Sequence, residues 1–140
     1  MSVPDHVRVF LDEQPVGVLA TTRPDGSPRQ SLVYHLVDGD TLLISTESKR
    51  AKARDVVRTG RASYCVMGHL PPYPAVTVEG AARIISSGAG EATARIFARI
   101  MGKEPDEPLT DEALAQMDRV ILELSVDHVY GLSYIPEPPA

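Results

Sequence analysis

Val16-Gly17-Val18-Leu19-Ala20-Thr21-Thr22 is an apolar run ending in β-branched residues, and Arg23-Pro24-Asp25-Gly26-Ser27-Pro28 follows it directly. Proline presets its own φ and glycine accepts a positive φ, so Pro-Asp-Gly predicts a tight turn. Arg29 to Val37 then partly alternates apolar and polar residues, which predicts a second strand folding back on the first. Asp38-Gly39-Asp40 repeats the device and leads into Thr41-Leu42-Leu43-Ile44-Ser45-Thr46 as a third strand. Three strands joined by short turns make an antiparallel meander, and this meander decides the fold class.

The pattern continues outward from there. Before it, Val3, Val7, Phe10 and Leu11 recur at helical spacing up to Pro15, with Ser2 as the expected cap and Pro4 in the first turn. After it, residues 48 to 58 abandon the two-residue period. Ala51, Ala53, Val56 and Val57 suit a short helix opened by Ser48 and ended at Gly60. Arg61 to Met67 and Ala75 to Ser86 predict two more strands, separated by the proline-rich loop Gly68 to Pro74. Glu91 to Met101 carries an apolar stripe, and Thr110 is the expected cap of another helix. Val120 to Val126 alternates as a sixth strand, with His128 to Tyr134 continuing it past a bend at Asp127. Hairpin connections exclude the regular βαβ alternation of a doubly wound sheet. The expected fold is mainly β (α+β): a six-stranded antiparallel split β-barrel with flanking helices. One domain is expected over 1–135, with a proline-rich tail over 136–140.

Composition narrows the function. With 140 residues, 43% hydrophobic and 24% charged, the chain has the makeup of an ordinary globular domain. No apolar run approaches the roughly 20 residues needed to cross a bilayer, so no membrane span is expected. The N-terminus lacks the basic and apolar regions of a secretory signal, and a cytoplasmic location is expected. A formal charge of −5 argues against a nucleic-acid surface. The single Cys65 makes no internal disulfide, no Cys/His cluster has zinc spacing, and Cys65 is expected to be buried packing within an apolar run.

One stretch departs from the acidic average. Lys49, Arg50, Lys52, Arg54, Arg58 and Arg61 are opposed within it only by Asp55. At its start a strand delivers the chain into Thr46-Glu47-Ser48-Lys49-Arg50-Ala51-Lys52, where hydroxyls, helix-start amides and cations converge. A phosphate uses all three kinds of donor, although the same cations also suit an exposed helix coat. Tyr34 and His35 could serve acid–base chemistry, but neighbours on a strand face opposite sides and no catalytic side chain is assigned. His6, His69 and His128 have no partner at ligand spacing. Glu79-Gly80 marks either a bulge or a close backbone approach.

Val16 to Thr21, Pro24 to Pro28, Leu42 to Thr46 and Arg50-Ala51-Lys52-Ala53-Arg54-Asp55 together resemble the pyridoxamine-phosphate-oxidase-like split-barrel family. Arg61-Ala62-Ser63, Val78-Glu79-Gly80-Ala81-Ala82 and His128-Val129-Tyr130-Gly131-Leu132 are similar to its deazaflavin-dependent branch. The resemblance implies a homodimer with two cofactor sites, each lined by both subunits. It implies that Arg50 and Lys52 hold the cofactor phosphate with help from Thr46 and Ser48. Gln30, Ser31 and Val33 would lie against the ring system, and Tyr73, Pro74 and Val76 would cover its other side. The implied cofactor is coenzyme F420, with flavin mononucleotide (FMN) as the alternative, and the substrate a small unsaturated or quinone-like molecule. A non-catalytic cofactor-binding or storage protein is the reading from a different class. Vitamin B6 oxidation is not expected, because the chain ends in Pro136 to Ala140 where those oxidases carry a basic substrate-binding segment.

Overall fold

In a computed structural model, residues 3–136 are described. Ser2, the expected helix cap, and residues 137–140 of the tail lie outside them. The meander begins as expected: β1 (Val16–Thr22) pairs antiparallel with β2 (Pro28–Tyr34), from Val16 opposite Tyr34 to Thr22 opposite Pro28. Gly26 takes φ +88°, as the turn demands, and Asp25 accepts from the backbone N–H and hydroxyl of Ser27.

The second predicted strand does not run on to Val37. His35 leaves the ladder and buries its ring, so the segment divides into β2 and β3 (Leu36–Asp38), and β3 pairs with β4 (Thr41–Glu47). The last predicted strand divides too. β7 (Arg119–Ser125) pairs with β4 and with β6 (Ala75–Ile85), whereas β8 (His128–Ser133) pairs with β6 alone. The expectation of six strands is thus corrected to an eight-stranded curled antiparallel sheet, ordered β2-β1-β5-β6-β7-β4-β3 with β8 also on β6; β5 is Arg61–Met67.

The curl is organised by β6. Its residues 75–81 pair with β5 and its residues 82–85 with β7. At the changeover a Cβ on Gly80 would lie 2.0 Å from the Ser125 carbonyl oxygen, so only glycine lets the backbones approach. Asp127 fills the gap in the ladder: its carboxylate accepts from Ala81 N–H at 2.9 Å and its own N–H donates to the Glu79 carbonyl at 3.0 Å. The close approach at Glu79-Gly80 is therefore to the chain's own corner.

Helices close the two sides. α1 (Asp5–Glu13) buries Val7, Phe10 and Leu11 in a core with Leu19, Ile44, Tyr64, Val78, Leu122 and Leu124. Each such side chain contributes roughly 1.5–3 kcal/mol on leaving water. α2 (Ala51–Thr59) buries Ala53 and Val56 and ends at Gly60 in the left-handed conformation, while Val57 faces out. Its opening is not the expected one: Arg50 occupies the cap position with no side-chain cap, because the Ser48 hydroxyl donates to the Asp118 carboxylate instead. α3 (Ala89–Met101) and α4 (Asp111–Gln116) cover a second core of Leu43, Ala92, Ile96, Leu114 and Ile121. Thr110 caps α4 as expected, accepting from Ala113 N–H at 3.0 Å. Cys65, expected to be buried, is exposed, since its alternation on β5 turns it outward between Tyr64 and Val66. No helix of the described residues is long and apolar enough to cross a membrane.

Candidate cofactor site

The end of β4, the turn after it and the start of α2 form one wall of a groove of about 550 Å³. Register brings the start of β7 alongside, with Arg119 opposite Glu47 and Val120 opposite Thr46. The turn is pinned there by Ser48, whose N–H donates to the Asp118 carbonyl at 2.9 Å while its hydroxyl takes the Asp118 carboxylate. Arg50, Lys52, Arg119, Ser45 and Thr46 line this polar end. The far wall is apolar and comes from α3, α4 and the loop between them: Ile96, Phe97, Ile100, Leu109 and Leu114. Val33 and the exposed Leu32 and Tyr34 of β2 complete the rim.

Charge at the polar end is strongly one-sided. Glu47 is the single acid among the described residues that line it; Arg50 and Lys49 each lie 3.8 Å from one of its oxygens, in long exposed pairs of the kind that contribute little to stability. Burial holds the Lys52 ammonium below its ordinary value, and the positive charges of Arg50 and Arg119 lower it further against the opposing pull of Glu47. The Thr93 hydroxyl, in the groove wall, is buried with no hydrogen-bond partner. A surplus of cations at one end, with an apolar wall carrying one unsatisfied hydroxyl at the other, fits a molecule that joins a flat ring system to an anionic tail.

Behind this wall α2 is held by a buried carboxylate. Asp55 accepts from Thr21 Oγ1 at 2.8 Å, Arg29 Nε at 2.7 Å and Arg58 Nη1 at 3.2 Å. Burial pushes its carboxyl up, but the three donors outweigh it and hold it below the usual carboxylate value. Asp55 therefore ties the helix carrying Lys52 to β1 and β2.

Of the residues expected at the site, Val33, Thr46, Arg50 and Lys52 meet in this groove. The others do not line it. Gln30 is exposed on the face of β2 that carries Leu32 and Tyr34, and Ser31 is half-buried on the face that carries Val33. Ser48 is engaged by Asp118. Tyr73 is half-exposed in the proline-rich loop, Pro74 lies against Gly68, and Val76 is fully buried in the core. His35 is fully buried, its Nε2–H donating to the Leu11 carbonyl at 2.8 Å. Sequence reading missed Arg119, which strand register alone brings to the groove. It also missed the role of α3, whose apolar stripe was legible but whose groove-facing position was not.

The curled sheet and this groove define a split-barrel protein of the kind the sequence resembles. The chain belongs to the pyridoxamine 5'-phosphate oxidase family, which matches it over residues 3–133. It is similar to an F420 reductase of known structure, with 28% identity and a TM-score of 0.70 over 86% of this chain and 94% of that one. The conserved hypothetical protein Rv2991 from Mycobacterium tuberculosis shares the fold at 22% identity, with a TM-score of 0.77 over 100% of this chain and 94% of that one. A FAD-binding protein from Mesorhizobium loti shares it at 19% identity, with a TM-score of 0.67 over 92% of each chain.

Proposed function

We propose that this protein is an oxidoreductase that uses a deazaflavin of the coenzyme F420 type to reduce a small unsaturated or quinone-like organic molecule. The observation that carries the reading is the groove itself, with Arg50, Lys52 and Thr46 at one end and the apolar wall of Ile96, Phe97 and Ile100 at the other. Arg50 and Lys52 hold the phosphate by charge-assisted hydrogen bonds. Val33 and the α3 wall give the ring an apolar seat and keep water from it. Bound there, the cofactor supplies the hydride chemistry, and the protein supplies position and electrostatics. The likeness to the F420 reductase supports a deazaflavin. FMN remains the alternative cofactor, because it presents the same kind of ring and phosphate to the same residues.

The working unit is a homodimer. Support comes from the outward face of the sheet, where Leu32, Val18, Cys65, Thr77 and Tyr130 stand in one row across five strands. Leu32 is 76% and Met67 54% exposed on this face, more apolar surface than a lone domain usually leaves to water. Pairing through it would also bring Gln30, and the loop of Tyr73 and Pro74, toward a cofactor held by a second copy.

The test is titration of the purified protein with F420 and with FMN, followed by oxidation of the reduced cofactor with a panel of quinones and enones. Binding of F420 with turnover is expected. Binding of FMN alone would move the assignment to the flavin, binding without turnover to a storage protein, and binding of neither would overturn the reading.

A further inference from the structure

Lys52 and Arg119 stand apart from the other cations of the groove. Glu47 is engaged by Lys49 and Arg50. Lys52 and Arg119 have no acid within salt-bridge distance and no acceptor for their side-chain donors among the described residues. Both are half-buried, and both line the groove.

Arg119 is held on a framework. It opens β7 opposite Glu47, and the residue before it, Asp118, takes both the N–H and the hydroxyl of Ser48. Asp118 adopts φ +58° to do so, a conformation aspartate tolerates better than most residues. Glu47, the turn into α2 and Arg119 thus form one connected unit. Two like charges that line one groove with reduced access to water repel, and the Arg119 charge adds, after burial and Arg50, to what holds the Lys52 ammonium below its ordinary value. The arrangement becomes favourable once an anion stands between them.

We propose that Arg119 is a further anion ligand of this groove, acting with Lys52 to select a tail carrying two negative charges. The proposal rests on the cofactor reading above. Two kinds of tail satisfy it: a phosphate monoester, which carries about −1.5 to −2 near neutrality, or a phosphodiester followed closely by a carboxylate. A ring system with an uncharged tail gains nothing from Arg119.

The test compares wild type with Arg119→Gln and Arg119→Lys by titration with riboflavin, FMN and F420, together with melting of the cofactor-free protein. Arg119→Gln should weaken binding of the charged cofactor about 10- to 100-fold and leave riboflavin binding unchanged, with Arg119→Lys recovering part of the loss. The melting temperature of cofactor-free Arg119→Gln should stay level or rise, and the Lys52 ammonium should titrate higher by NMR, because a repelling charge has gone. Tighter wild-type binding of FMN assigns the monoester, and of F420 the diester with carboxylate. Equal losses for riboflavin and the charged cofactors, or a collapse in melting temperature, would make Arg119 a structural residue; unchanged affinity for all three would overturn the proposal. If wild type binds none of the three, the cofactor reading fails separately. Pyrophosphate then decides the anion site: it should raise the melting temperature of wild type and not of Arg119→Gln, and no effect on wild type overturns the site as well.

Discussion

The hydroxyl of Tyr64 on β5 stands 2.7 Å from Nδ1 of His35 and 3.2 Å from the Val33 carbonyl, at the point where β2 gives way to β3. The Leu11 carbonyl can only accept, so Nε2 of His35 carries the ring proton and Nδ1 is left free to receive Tyr64. The rings meet edge to face, 5.2 Å between centroids. Arg99 of α3 seals the site, donating to the carbonyls of His35, Leu11, Asp12 and Gln14. A neutral imidazole takes the Tyr64 proton at Nδ1, whereas a protonated one donates there and leaves the Tyr64 hydroxyl to the Val33 carbonyl.

Burial, partly opposed by the Leu11 hydrogen bond, pushes His35 down to about 4 from an ordinary 6.5. The folded state therefore takes up its proton later than the unfolded state, and stability falls as pH drops from about 6.5 to about 4. The full effect is roughly 3 kcal/mol, of which about 2 kcal/mol is lost between pH 7 and pH 5. Urea denaturation at those two pH values should show this loss in wild type. His35→Gln, with no ionisable group, should be less stable at pH 7 but have a flatter slope. Equal slopes would show that His35 does not govern the acid limb.

Asp55 is the buried anchor of α2, so Asp55→Ala leaves Arg29 and Arg58 without their common acceptor. A loss of roughly 2–4 kcal/mol in stability is expected, somewhat below the cost of breaking a fully buried pair because both arginines reach water. The depressed carboxyl also makes Asp55 stabilising above its unfolded value, with that contribution lost as pH falls through the folded one. The measurement is chemical denaturation of Asp55→Ala at pH 7, and a loss below about 0.5 kcal/mol, the scatter of ordinary surface substitutions, would contradict the anchor.

Arg50 is largely exposed and its Glu47 pair is long, so Arg50→Ala should leave the melting temperature of the cofactor-free protein nearly unchanged. The same holds for Lys52→Ala, which removes an unpartnered cation. Cofactor affinity should fall about 10- to 150-fold in either variant. The double variant should lose less than the sum, because both charges act on one phosphate. Added salt should weaken wild-type binding more steeply than binding by either variant. Fluorescence titration at two salt concentrations checks all three, and unchanged affinity in both single variants rules out the phosphate site.

Leu32 protrudes from the outward sheet face, so Leu32→Glu should cost the protomer little stability while placing a charge in the proposed interface. Light scattering should report a homodimer for wild type and a shift to monomer for the variant, with weakened cofactor binding. A monomeric wild type at micromolar concentration would remove the dimer from the proposal.

The sequence by itself determined the parts of this protein that depend on local physics. Pro24-Asp25-Gly26 can only turn, the alternation from Val16 onward can only bury one face of a strand, and Thr110 can cap a helix because Ala113 lies three residues on. The cations after Thr46 were equally legible, since composition and a strand-to-helix junction are properties of neighbouring residues. What lay beyond reach depends on residues far apart in the chain. His35 breaks a strand because Tyr64 and the Leu11 carbonyl receive it, Ser48 leaves its cap for Asp118, and Arg119 reaches the groove that Lys52 lines through the pairing of β4 with β7. Such pairings arise only when hydrogen-bond satisfaction and apolar burial are resolved together in three dimensions, and no local pattern of residue types encodes them.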